Sequence, residues 1–449
     1  MCQLERRRGQ SAHCLALLIL VVGLGCDTNA GAPPSTVVGV DVSPARSLRQ
    51  GQADATLSLT RASGGLSVAT GFALGDLTVA KDAASTDVRL VLHVSVPHGA
   101  PPGPRTLTLM GAAYLASLPD VVDVGPIAVA LSGTDAAPGT VSAPFRTLKQ
   151  ALQVAGQNDT VQLAAGTYDA TSGETWAYEL PVGLTLAGQS QATTTLRGTS
   201  ADAASPIAAS GLFARGALAL RALTLDGFKL DLEVAGPGDL TIADATIRHA
   251  GDMGLAIQVD ESAGGSRASL TNVTVEGDIM VFDTTATMAV SGSTFRTGTT
   301  GIDFSGTNLS VADSTFTDFA HFGINFAGST LQLSGVTFQG GNYGVYHISG
   351  NAKVRRTHVR DYKFVGYYLA QGSLDLGTQT EAGDNEFSST GDGTLGLYVD
   401  DVDQPVTCSN TTFNGDLPAA GERVAGDQAI AVPGEYLIHG GKTMWFWVL

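Results

Sequence analysis

The chain has 449 residues, 43% of them hydrophobic and only 15% charged, which excludes disorder for most of its length, because a disordered chain needs low hydrophobicity and high charge. Lys and Arg total 25 against 42 Asp and Glu, a net charge of −17, and such a chain lacks the basic face that a nucleic-acid partner requires. Its 56 Gly lie among stretches rich in Thr, Ser and Asp, so an all-β chain of many short strands and turns is expected.

Residues 1–25 read as a secretory signal. Arg6, Arg7 and Arg8 form a basic start, and residues 15–24 are an apolar run of about 10 residues, too short to span a bilayer as a helix. Gly23-Leu24-Gly25-Cys26 resembles a bacterial lipoprotein lipobox, with Gly where that family prefers Leu. The resemblance implies that Cys26 carries lipid, that residues 26–35 are a flexible tether, and that the protein is held to a membrane of the cell envelope, at the outer membrane or the cell surface. Cleavage after Ala30-Gly31-Ala32 is the alternative. Cys2 and Cys14 leave with the signal, so Cys408 is the only other cysteine and a mature lipoprotein has no intrachain disulfide.

Residues 36–132 read as a small β-sandwich. Residues 37–42 alternate and end at Ser43-Pro44. Further strands are expected at residues 55–60, 77–80, 88–96, 106–110 and 127–131, separated by turns such as Pro101-Pro102-Gly103-Pro104. This stretch resembles bacterial immunoglobulin-like modules, which implies a spacer that projects the next domain from the membrane. Residues 133–139 read as a linker.

A solenoid is expected over residues 139–449. Leu148, Ala151, Leu152 and Ala155 make one apolar stripe at helical spacing, which predicts a helix starting at Pro144-Phe145-Arg146-Thr147. Thr160-Val161-Gln162-Leu163, Gly166-Thr167-Tyr168 and Gly183-Leu184-Thr185-Leu186 come next. Together, over residues 139–200, these phrases resemble the opening of a bacterial secreted family of unknown function, DUF1565. The resemblance implies a right-handed parallel β-helix of the pectin-lyase-like type whose first turn is covered by the helix.

The repeats over residues 217–413 support this independently. Thr followed by an apolar residue recurs at Thr224-Leu225, Thr246-Ile247, Thr274-Val275, Thr294-Phe295, Thr315-Phe316, Thr337-Phe338 and Thr412-Phe413. The middle members lie about 20–22 residues apart, one turn of a β-helix. Gly followed by an apolar strand runs in step, at Gly254-Leu255, Gly301-Ile302, Gly323-Ile324, Gly344-Val345, Gly366-Tyr367 and Gly396-Leu397. Strand alternation puts Phe295, Phe316, Phe338 and Val359 inside with Ile302, Ile324 and Val345, and puts the Thr ladder outside. His358 and Glu386 interrupt that ladder.

Three features carry candidate chemistry. An outward ladder of Asp303, Asn325, Tyr346, Tyr368 and Tyr398, with Phe322, Tyr343, His321 and Asn342 beside it, changes from polar to aromatic; aromatic faces stack on sugar rings and amides or acids bind hydroxyls, but stacked tyrosines also stabilise strands across a sheet. Lys353, Arg355, Arg356, Arg360 and Lys363 place five of the 25 cations within 11 positions, with His358 and Asp361 among them. Arg355, Arg356, His358 and Arg360 are candidates for binding uronate, phosphate or sulfate, or else balance nearby acids such as Asp318. Asp400, Asp401 and Asp403 are weak candidates for Ca²⁺, at a spacing that fits no EF-hand loop, and no other cofactor is indicated.

Hydrolases of the pectin-lyase-like fold use clustered aspartates with Gly-His-Gly and Arg-x-Lys; neither motif is present, and His439 has no acidic neighbour. Three functions stay open: a non-catalytic envelope lipoprotein that binds an extracellular polysaccharide, a polysaccharide lyase, hydrolase or epimerase, and a structural or adhesive protein using the aromatic C-terminus Met444-Trp445-Phe446-Trp447.

Overall fold

A computed structural model describes residues 41–43, 47–111, 114–198, 210–228, 230–249, 255–260, 265–391, 394–400 and 406–413, with three short strands at 424–425, 430–432 and 436–438. Cys26, Asp401, Asp403, His439 and the aromatic C-terminus lie outside these residues.

The first unit is two four-stranded sheets facing across one core. One holds Asp41–Ser43, Ala55–Thr60, Arg89–Ser95 and Thr78–Lys81; the other holds Ser47–Arg49, Tyr114–Gly125, Gly103–Gly111 and Gly71–Leu74. Leu57, Leu59, Leu90, Leu92 and Val94 from the first meet Leu74, Leu107, Leu109, Val122 and Val124 from the second. The longest strand, Tyr114–Gly125, has no clean alternation and contains Pro119, so its sequence does not announce a strand.

The boundary of this unit differs from the expectation. Ile127–Val129 is not a sandwich strand: it pairs in parallel with Thr160–Leu163, and Ile127 and Val129 are buried in the second core. Only Pro126 separates the units, so residues 133–139 do not link them. Side chains tie the units together, among them Arg49, whose Nε donates to Pro138 O at 2.6 Å. Asp159, fully buried, accepts from Gly99 N at 2.8 Å and lies 2.6 Å from His98 Nδ1. Gln50 donates to Ala100 O and accepts from Thr160 N, both at 2.7 Å.

The second unit is a parallel β-helix. Strands pair in parallel with their counterparts one turn away, giving three longitudinal sheets, and only the last described pair, Ile430–Val432 with Tyr436–Ile438, is antiparallel. The first runs through Thr160–Leu163, Leu184–Ala187, Leu218–Arg221, Asp239–Ala243 and onward to Ser373–Asp375. The second runs from Gly166–Tyr168 through Thr246–His249 and His358–Arg360 to Thr411–Phe413. The third contains Tyr178–Leu180, Asp278–Val281, Val365–Leu369 and Leu395–Val399. The helix α1 (Leu148–Val154) lies over the first turn with Leu148 and Ala151 fully buried, and Leu152 and Ala155 pack partly against the core. It begins at Leu148 because Phe145 is still hydrogen-bonded to Ala128 as extended chain, and Thr147 caps it by accepting from Gln150 N at 3.1 Å.

The two repeated phrases are opposite sides of one contact. A side chain on Gly323 would meet the Phe338 ring at 2.5 Å, and one on Gly396 would meet the Phe413 ring at 2.4 Å. Gly301 stands in the same relation to Phe316, Gly344 to Val359 and Gly366 to Phe387. From Gly301 to Gly396 the inward side chain of the second sheet, an aromatic ring at all but Val359, thus fills the space left by the glycine of the preceding turn. The rings also stack on each other, Phe295 on Phe316 at 4.5 Å and Phe316 on Phe338 at 4.9 Å.

The outward Thr ladder is in register from Thr224 to Thr337, then passes through His358 and Glu386 to Thr412. Thr224 departs from the expected exposure: it is buried, with its hydroxyl donating to Gln191 O at 2.7 Å. Cys408 is buried and free.

This packing makes a coupling measurable. Gly323→Ala is expected to cost about 1–3 kcal/mol by overpacking and Phe338→Ala about 3–5 kcal/mol by leaving a cavity. Because both changes act on one space, the double variant unfolds in urea at a higher concentration than the sum of the single losses implies; strict additivity contradicts the contact.

Candidate functional site

The outward ladder of the third sheet is formed as expected. Asp303, Asn325, Tyr346, Tyr368 and Tyr398 pair in register on successive turns. Beside it runs a second row, Thr300, Phe322, Tyr343, Val365 and Leu395. Phe322 lies 4.9 Å from Tyr346, and Tyr343 lies 5.9 Å from Phe364. The result is one continuous aromatic face of Phe322, Tyr343, Tyr346, Phe364, Tyr368 and Tyr398. Phe364, which is 53% exposed, is absent from the ladder expected from the sequence. Its signal was the glycine phrase: Phe364 lies two places before Gly366, where His321 and Asn342 lie before Gly323 and Gly344.

The rings do not all offer their faces. Tyr346 stacks on Tyr368 at 4.6 Å and 17°, and Tyr368 on Tyr398 at 4.9 Å and 14°. Each tyrosine therefore covers its neighbour, as cross-strand pairs do, and presents its edge and hydroxyl outward. Phe364, inclined 45° to Tyr343, is the ring with a free face.

Carboxylates stand at both ends of this face. Asp303 accepts from Asn325 Nδ2 at 2.9 Å, and burial pushes its carboxyl up against the opposing pull of that hydrogen bond. Asp400, exposed, accepts from the Tyr368 hydroxyl at 3.2 Å. No three His, Cys, Asp or Glu side chains among the described residues are grouped to hold a metal ion.

The cationic residues span a corner, with Lys353 and Arg355 at the end of a first-sheet strand and His358 and Arg360 on the second sheet, and they are largely paired. Arg355, whose side chain is 9% exposed, binds Asp375 at 2.6 Å, and Lys353 binds Glu381 at 2.7 Å. Glu386 Oε2 accepts from Arg360 at 2.6 Å and lies 3.1 Å from His358 Nδ1. The two interruptions of the Thr ladder are thus one feature, a polar cluster joining adjacent turns. The Arg360 hydrogen bond holds the Glu386 carboxyl below the usual range. The balancing acids are Asp375, Glu381 and Glu386 rather than Asp318. Among the described residues, Arg356 alone of the candidate anion set has no carboxylate partner; it sits at φ 50° and donates to Ser334 Oγ at 2.7 Å. The aromatic and cationic features occupy different sheets and do not form one site.

Beneath the tyrosines lies a buried polar pair: alternation about outward Tyr346 turns His347 inward, but nothing in the amino-acid order marks its partner one turn away. His347 is fully buried in the ladder that joins Phe326 to Leu369. Its Nε2 lies 2.8 Å from Ser349 O and its Nδ1 lies 3.0 Å from the Tyr367 hydroxyl. A neutral ring donating from Nε2 and accepting at Nδ1 satisfies both. Burial lowers its pKa from 6.5 to about 4.

Residues 131–211 match the model of a family described as "Protein of unknown function (DUF1565)". No curated protein matches the chain. A solved structure titled "Crystal structure of pectate lyase Pel9A" aligns at 13% identity with a TM-score of 0.38, over 66% of this chain and 82% of that one. The β-helix itself is established by the strand pairing.

The paired and unpaired arginines differ in what their removal costs. Arg355→Ala leaves Asp375 without its guanidinium and is expected to cost roughly 2–4 kcal/mol, whereas Arg356→Ala stays within about 0.5 kcal/mol; equal effects in urea unfolding contradict the assignment of Arg355 to the fold. The buried imidazole has a signature in pH. As pH falls from 6.5 toward 4, the unfolded chain protonates at His347 and the folded chain does not, so wild-type stability declines by up to about 1.4 kcal/mol per pH unit from this group. His347→Gln removes that part of the slope; an unchanged slope contradicts the buried neutral imidazole.

Proposed function

We propose that this protein is an envelope-anchored binder of polysaccharide, without catalysis, and that its ligand lies along the aromatic face of the third sheet. The observation that carries this reading is the face itself: six aromatic side chains contiguous over successive turns, whereas the second sheet carries outward ladders of threonine and of paired charges. Hydroxyl rows, one open phenyl ring and terminal carboxylates suit a polyhydroxylated chain. Binding is favoured over glycoside hydrolysis by distance. Asp303 and the Tyr398 strand that leads into Asp400 are four turns apart, roughly 19 Å at the spacing of stacked strands, whereas paired catalytic carboxylates stand about 5–10 Å apart. In this reading Cys26 supplies the lipid anchor, and the sandwich serves as an immunoglobulin-like spacer that lifts the β-helix from the membrane.

Two experiments test it. Tyr346→Ala with Tyr368→Ala is expected to weaken binding to an identified polysaccharide by roughly tenfold or more, at a stability cost of about 0.5–1.5 kcal/mol per lost stack. Arg356→Ala with Arg360→Ala leaves binding unchanged; the reverse pattern moves the site to the second sheet. Cys26→Ala is expected to shift the protein from the membrane fraction to the soluble fraction, and a wild type that takes up no palmitate analogue rules out the anchor.

A further inference from the structure

The charges around the aromatic face restrict what it can take. Asp303 stands at one end and Asp400 at the other. The corner leading into this sheet carries Asp318 and Asp361, both exposed and both at positive φ, with Lys363 as the cation beside them. The cations of the cluster on the other two sheets are held elsewhere: Arg355 by Asp375, Arg360 by Glu386 and Lys353 by Glu381. We propose that the ligand of this face is an uncharged polysaccharide, seated on Phe364 and Tyr343 and on the row of tyrosyl hydroxyls, and that the flanking carboxylates turn polyuronates away. The proposal rests on the glycan reading of the aromatic face and adds its charge class.

The chemistry of the face fits this class. Among the described residues the hydroxyls of Tyr346 and Tyr398 have no hydrogen-bond partner, and the Tyr368 hydroxyl is tied only to Asp400. Each tyrosyl hydroxyl both donates and accepts, and each carboxylate accepts, so the face matches neutral sugar hydroxyls, which also do both. A polyuronate brings a negative charge with every sugar along a chain that passes four aspartates and one lysine. Like charges at that density repel, and the protein's net charge of −17 adds to the effect at low salt. The exposed Phe364 ring supplies the apolar platform for a sugar face that the mutually stacked tyrosines cannot.

The full chain is tested by calorimetric titration against neutral glucans and mannans and against polygalacturonate and alginate, in EDTA, at low and high salt. The expected result is that a neutral polymer binds, with little change of affinity with salt, and that neither polyuronate binds at low salt. Phe364→Ala, at an exposed position, lowers neutral-polymer affinity by roughly tenfold with an unchanged melting profile. Asp303→Asn combined with Asp400→Asn raises the affinity for polyuronate relative to neutral polymer. A polyuronate that binds the wild type without metal, and loses affinity in Phe364→Ala, overturns the charge class while leaving the glycan site in place. A neutral polymer whose affinity ignores Phe364→Ala overturns the platform. A wild type that binds no polysaccharide of either class overturns the glycan reading and this inference with it.

Discussion

Successive turns of the β-helix are locked by rings fitting where glycines have no side chain. Gly301, Gly323, Gly366 and Gly396 each face an aromatic ring from the second sheet, Phe316, Phe338, Phe387 and Phe413, and Gly344 faces Val359. The contact couples the third sheet of one turn to the second sheet of the next, so it sets both the corner and the register. Once these inward positions are committed, side chains at outward positions are free of the core. The surface ladders then vary with little cost to the fold, and an aromatic face and an ion-paired turn coexist on a scaffold whose interior hardly changes.

That contact is also why the solenoid was legible from the amino-acid order. Two phrases repeating in step are what a period of one ring and one glycine per turn produces, and the outward ladder from Asp303 to Tyr398 follows from alternation alone. The helix stripe of Leu148, Ala151, Leu152 and Ala155 was legible for the same reason. The unit boundary was not. Residues 127–131 look like any short apolar strand, and which sheet they join is decided by pairing with Thr160–Leu163, far along the chain. The partners of Lys353, Arg355 and Arg360 were equally hidden, since each lies 20 or more residues away in sequence and one turn away in space.

Ladder breaks on this surface have two different causes. His358 and Glu386 each break the Thr pattern, and each invites a functional reading when seen alone. Paired across adjacent turns they satisfy one another and Arg360, and the demand for an external anion disappears. The change from Asp303 and Asn325 to Tyr346, Tyr368 and Tyr398 has no such internal resolution. Stacking explains why tyrosines succeed one another there, but the exposed ring of Phe364 beside them gains little from the fold and remains open to a partner.

The most direct test of the central claim is a crystal structure of the β-helix protein soaked with a neutral oligosaccharide. The expected result is a sugar ring against Phe364 and Tyr343, with the sugar chain continuing along the tyrosyl hydroxyls toward Asp400. Density instead at the His358–Glu386 turn of the second sheet, with the aromatic face bare, would contradict it.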